Sequence, residues 1–77
     1  MNDELKRALG SVFLRDVRTV EPKKKGVIVG ENLRIYEEKQ GFVLSFLRGT
    51  DERTRGQFKD KLENAGLSYE LGADFSL

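Results

Sequence analysis

The chain has 77 residues, 38% apolar and 35% charged, which suffices for one small core and is too apolar and too patterned for a disordered chain. It contains no Cys and no His, which excludes disulfides, removes the two commonest soft metal ligands and takes away the side chain on which acid–base chemistry near neutral pH usually leans. The net charge of only +1 excludes a strong global pull toward nucleic acid.

The first element is a helix. Leu5, Ala8, Leu9, Val12 and Phe13 fall at helical spacing, Asn2 is placed to cap it, and Asp3 and Glu4 suit the positive end of its dipole. The stripe resumes beyond Gly10, so the spacing predicts a helix to about Leu14. Asp16–Glu21 is short and β-branched, a strand that Pro22 must end because it has no amide to donate. Pro22–Gly26 is then a polar loop, and Gly26–Gly30 is a strand. Glu31-Asn32 reverses the chain into Leu33–Glu37, whose alternation puts Leu33 and Ile35 on one face. Glu38–Gly41 turns it again into Phe42–Arg48, a run apolar on both faces that predicts a central strand covered on each side.

Thr50 is the expected cap of a second helix, with Asp51 and Glu52 in its first turn, an apolar stripe of Phe58, Leu62 and Ala65, and a left-handed stop at Gly66. From there Leu67, Tyr69, Leu71, Ala73, Phe75 and Leu77 occupy the odd positions and polar or small residues the even ones. Period two predicts a half-buried strand with a possible bulge at Gly72. The expected fold class is α+β: one domain spanning residues 1–77, with a single antiparallel sheet of four to five strands, two helices packed on it, and order α-β-β-β-β-α-β.

Catalysis is not expected. Glu37 and Glu38 are adjacent but fall on opposite faces of a strand, Ser45 sits in an apolar strand, and the glycines of Gly26–Gly30 flank apolar residues rather than forming a phosphate loop. No cofactor and no metal site are expected, since no calcium-loop spacing of Asp and Gly is present either. The polar, acidic start Met1–Glu4 and the absence of a long apolar run point to a cytoplasmic protein without a membrane segment.

Two surfaces are candidates for binding. Charge is lopsided: between residues 6 and 25, Lys6, Arg7, Arg15, Arg18, Lys23, Lys24 and Lys25 oppose only Asp16 and Glu21, a local charge of +5. From residue 60 onward, Lys61 stands against Asp60, Glu63, Glu70 and Asp74, a local charge of −3. Arg15, Arg18, Lys23, Lys24 and Lys25 therefore form the candidate nucleic-acid or anion site, against the plainer reading of a solvated loop that deters strand-to-strand aggregation. The C-terminal strand, through Leu71, Ala73, Phe75 and Leu77, is the candidate protein-interaction element, since a terminal amphipathic strand adds readily to another sheet.

Tyr36 beside Arg34 is the best placed aromatic for stacking on a base, whereas Phe42 and Phe46, separated by Leu44, have the pattern of core. Arg48, Arg53 and Arg55 near the second helix are expected to pair with the chain's own carboxylates in preference to a bound anion such as phosphate. The element order is similar to that of double-stranded RNA-binding and signal-recognition-particle Alu-binding domains; the lysines fall in an early loop, however, and no residue is carried over. The expected function is that of a small non-catalytic protein-binding module, a regulator, inhibitor or adaptor, homodimeric through its last strand. The alternative is a nucleic-acid-binding module using Arg15 to Lys25.

Overall fold

Gly10 ends the first helix. In the computed structural model, which describes residues 2–10, 14–18 and 25–76, α1 spans Asn2–Leu9. Gly10 takes φ +75°, a left-handed conformation that costs glycine nothing, and its amide donates to the Lys6 carbonyl at 2.9 Å. The expected extension to Leu14 is thus corrected: Leu14 already opens strand β1, Leu14–Arg18, two residues ahead of its expected start, while Val12 and Phe13 lie outside the described residues. Helix periodicity across a glycine carried no information about where the helix stops.

Strands β2 (Lys25–Val29), β3 (Leu33–Glu38) and β4 (Gly41–Phe46) follow, and the five-stranded sheet keeps chain order, β1-β2-β3-β4-β5. Short turns set the antiparallel registers, with Val29 opposite Leu33 across one hairpin and Glu38 opposite Gly41 across the next. Alternation does the rest. Val27, Val29, Leu33, Ile35, Phe42, Leu44 and Phe46 point to one face and are buried there with Leu5 and Leu9 of α1. Phe42 and Phe46 are core, as their spacing predicted.

Helix α2, Glu52–Asn64, lies against α1 and closes that core with the fully buried Leu62 and the partly buried Phe58, whose ring sits 6.4 Å from that of Phe46. Its cap is Asp51 rather than Thr50. The Asp51 carboxylate accepts from the Thr54 amide at 2.7 Å; hydrogen bonding by the Thr54 side chain first, and by that amide second, holds the carboxyl below its ordinary pKa, while the Thr50 hydroxyl donates back to the Leu47 carbonyl. Gly66, at φ +73°, makes the expected stop, and Ala65 is the exposed C-cap rather than part of the apolar stripe.

Two expectations about the sheet are corrected. Strand β5, Tyr69–Leu71, runs parallel to β4, so the sheet is mixed rather than wholly antiparallel. The reason is α2: a helical crossover carries the chain back to the end where β4 began, and the next strand starts in the same direction. Strand β4 is also not covered on both sides. Phe42, Leu44 and Phe46 are buried, but Gly41, Val43 and Ser45 on the opposite face are half-buried, and no helix among the described residues packs on that face.

Candidate interaction surface at the sheet edges

Strand order makes β1 and β5 the two opposite edges of the sheet. Of the charges that make the sequence lopsided, Lys6 and Arg7 sit on α1, which packs against the α2 that carries Asp60 and Glu63, so only the charges on the strands are set apart by the sheet. Of the basic candidates, Arg15 is exposed on β1 and Lys25 is exposed at the start of β2, where the register sets it opposite Arg18. Lys23 and Lys24 lie outside the described residues. Arg15 belongs to the row Arg15–Ile28–Arg34–Ser45, on the face away from the helices, whereas Lys25 belongs to the helix-covered face. The described basic positions share an edge of the sheet but not a face.

The far edge is built from the residues after α2. Strand β5 is anchored by the Phe42 amide donating to the Ser68 carbonyl at 3.0 Å and the Gly72 amide donating to the Leu44 carbonyl at 2.8 Å. Backbone groups in a parallel ladder alternate in direction along the strand, so Tyr69 and Leu71 turn theirs outward, away from β4. The approach at the strand's start is so close that a Cβ on Gly41 would lie 2.6 Å from the Ser68 carbonyl oxygen. Tyr69 packs against the core and donates to the Glu63 carboxylate at 3.1 Å; desolvation first, and that bond second, push its phenol above its ordinary pKa.

Beyond β5 the predicted ridge breaks. Leu44 pairs with Leu71 and Leu47 with Phe75, so three steps along β4 answer to four along the tail. One extra residue is a bulge, and a bulge exchanges the faces of every side chain after it. Tyr69 is on the helix side, but Phe75 lies on the other face with the Arg34 guanidinium 4.0 Å above its ring. The Ser45 hydroxyl bonds the Ala73 carbonyl at 2.5 Å within the bulge, and Asp74, now toward α2, takes a bidentate pair from Arg55 at 3.0 Å for each bond. Those bonds hold the Asp74 carboxyl below its ordinary pKa. Arg55 thus pairs with a carboxylate, as expected, but with one from the tail.

The eleven-residue half-buried strand expected over residues 67–77 is consequently replaced by the three-residue β5, the bulge and an isolated bridge at Phe75. Of the interaction candidates, Leu71 is 58% exposed, the large apolar side chain most open to solvent among the described residues. Ala73 is exposed, Phe75 is half-buried, and Leu77 lies outside the described residues. A shallow open hollow of about 500 Å³, bounded by Glu38, Gly41, Phe42, Ser68, Tyr69 and Glu70, runs alongside the start of this edge.

On the face without helices, Arg34 and Tyr36 stand in adjacent rows of the central strand β3, and the Tyr36 ring fills the space above Gly26, where a Cβ would sit 2.6 Å from it. Among the described residues no three acidic side chains gather as metal ligands, and no helix is long and apolar enough to cross a membrane. The chain matches no protein-family model, no curated protein and no solved structure. Two features of the edge were out of reach of sequence reasoning: the Arg55–Asp74 clamp joins positions 19 residues apart, and Glu70 reads in the sequence as one polar residue of an alternation.

Proposed function

We propose that this chain is a small non-catalytic protein-binding module that accepts a strand of its partner along β5. One observation carries the reading: Leu71, 58% exposed, sits on a sheet edge whose outward backbone groups pair with no other described strand. Main-chain pairing along such an edge supplies affinity, and side chains beside it supply selectivity. The hollow bounded by Phe42 and Tyr69 is placed to receive a side chain of the added strand. Native sheets blunt open edges with very short strands, bulges, charges or proline, and β5 is itself only three residues long with a bulge after it. Here the apolar Leu71 remains.

The test is a variant that blocks the edge without touching the core. Proline at position 71 removes an outward amide and the exposed side chain. A stoichiometric protein partner, or a second copy of the chain, should be retained by the wild type and lost by Leu71→Pro, with circular dichroism unchanged. Retention by the variant, or no protein bound by a folded wild type, would refute the reading.

One arrangement favours nucleic acid as a second reading. Exposed Arg15 shares a row with Arg34, and Tyr36 occupies the adjoining row, so an aromatic and two arginines lie on the face free of helices. It ranks lower because Arg15 and Lys25 stand on opposite faces and Glu70 shares the face with Tyr36. Retention on single-stranded oligonucleotides that falls steeply with salt and disappears in Tyr36→Ala would raise it above the first.

A further inference from the structure

We propose that the two edges of the sheet recognise each other between copies of this chain, so that β1 of one molecule adds to β5 of the next. The inference rests on the reading of β5 as a strand-accepting edge and names its occupant. Three observations converge on a second copy. The strand order puts β1 and β5 at opposite edges, so a head-to-tail contact uses two surfaces that cannot obstruct each other in one molecule. The β1 side carries the exposed cations Arg15 and Lys25, while the β5 side carries the exposed anion Glu70 next to Leu71. Arg15 and Glu70 also share a face: Arg15 lies in the row of Ile28, Arg34 and Ser45, and Glu70 lies in the adjoining row of Gly26, Tyr36 and Val43. With the helices of both copies on one side of the continued sheet, β1 adds antiparallel to β5 and Arg15 and Glu70 fall on the same side of the joint, where opposite charges select this partner edge and orientation.

The geometry disfavours the symmetric alternative of β5 against β5, which would bring Glu70 of each copy to the same joint. A contact between two different edges of identical molecules is heterologous. It cannot close after two copies, so association proceeds past a dimer to rings or open chains and the mean mass rises with concentration.

Sedimentation velocity on the full chain at low salt tests this. The wild type should grow in mass with concentration, and raising salt should weaken the association, because exposed charges are screened. Arg15→Glu alone and Glu70→Arg alone should each weaken it by about tenfold or more, and the double exchange Arg15→Glu with Glu70→Arg should recover most of that loss. Both positions are exposed, and circular dichroism establishes that each variant is folded. Association untouched by Arg15→Glu but abolished by Leu71→Pro would overturn the head-to-tail contact while leaving β5 as a binding edge. Failure of the double exchange to recover association, or a wild type that stays monomeric at every concentration, would also overturn it. A monomeric wild type that still loses a different protein on Leu71→Pro would sink this inference and spare the broader reading.

Discussion

The β2–β3 hairpin and the β4–tail pairing are both strand pairs of the same sheet, yet they are held by different means. In the hairpin a short turn sets the register and alternation follows from it, so Leu33 and Ile35 are buried as their spacing predicts. The tail reaches β4 only after a helix, pairs in parallel over three residues, and then slips by one. It is held by individual devices: a close backbone approach at Gly41, a bonded carbonyl in the bulge, and the Arg55–Asp74 clamp. Local connectivity makes one pairing robust, and specific side chains make the other conditional. The conditional part is also the part that presents Leu71.

That contrast breaks down if the two regions respond alike to mutation. The largest effect is expected at the common core. Leu62→Ala empties a fully buried position and should cost about 2–5 kcal/mol in urea unfolding, out of roughly 4–12 kcal/mol available to a chain of this size. The whole fold should lose stability together.

Gly41→Ala comes next. Its Cβ would meet the Ser68 carbonyl at 2.6 Å, so β5 must shift away from β4, at about 1–3 kcal/mol. Hydrogen exchange should accelerate at the Phe42 and Gly72 amides, which donate across this pairing, while the β2–β3 amides keep their protection. Equal acceleration in both hairpin and tail would show that they unfold as one unit.

Removing the clamp should be gentler still. Asp74→Asn should speed exchange at the amides of Phe75 and Arg48, which bond between the tail and β4, and leave the thermal midpoint almost unmoved. An unchanged exchange rate at Phe75 would mean that the bulge and the Arg34–Phe75 stack hold the tail without help.

The smallest effect is in pH. The Asp74 carboxyl lies below its ordinary pKa because it is bonded to Arg55, so the unfolded chain takes up the proton first. The contribution is complete above the ordinary Asp range and is lost as pH falls through the folded value, that is, below about pH 4. Asp51 acts with the same sign through its bond to Thr54. Melting followed from pH 6 downward should fall more steeply in the wild type than in Asp74→Asn, and parallel curves would remove the clamp from the account.

Much of the fold was legible in the residues, and the legible part is local. The α+β class, the order of seven elements, the β2–β3 reversal and the stop at Gly66 rest on periodicity, turn chemistry and glycine conformation, all of which act between near neighbours. Gly10 shows the limit: periodicity argued for a longer helix, and only the backbone conformation reveals that the glycine ends it. The candidate surface was half legible. Leu71 and the basic and acidic ends were visible as composition, but nothing in the alternation of residues 67–77 marks where its parity reverses.

By itself, then, the sequence determined the order of the helices and strands, which side chains of the hairpins face the core, and that positive charge gathers early and negative charge late. Only the tertiary structure decided that β5 runs parallel to β4, that Phe75 leaves the face occupied by Tyr69, and that Arg15 and Glu70 lie on opposite edges of one sheet. The physical reason is range. Helix and turn preferences are settled within a few residues, whereas strand order, crossover direction and a one-residue slip depend on how distant segments meet, and Arg55 with Asp74 is a bond between such segments.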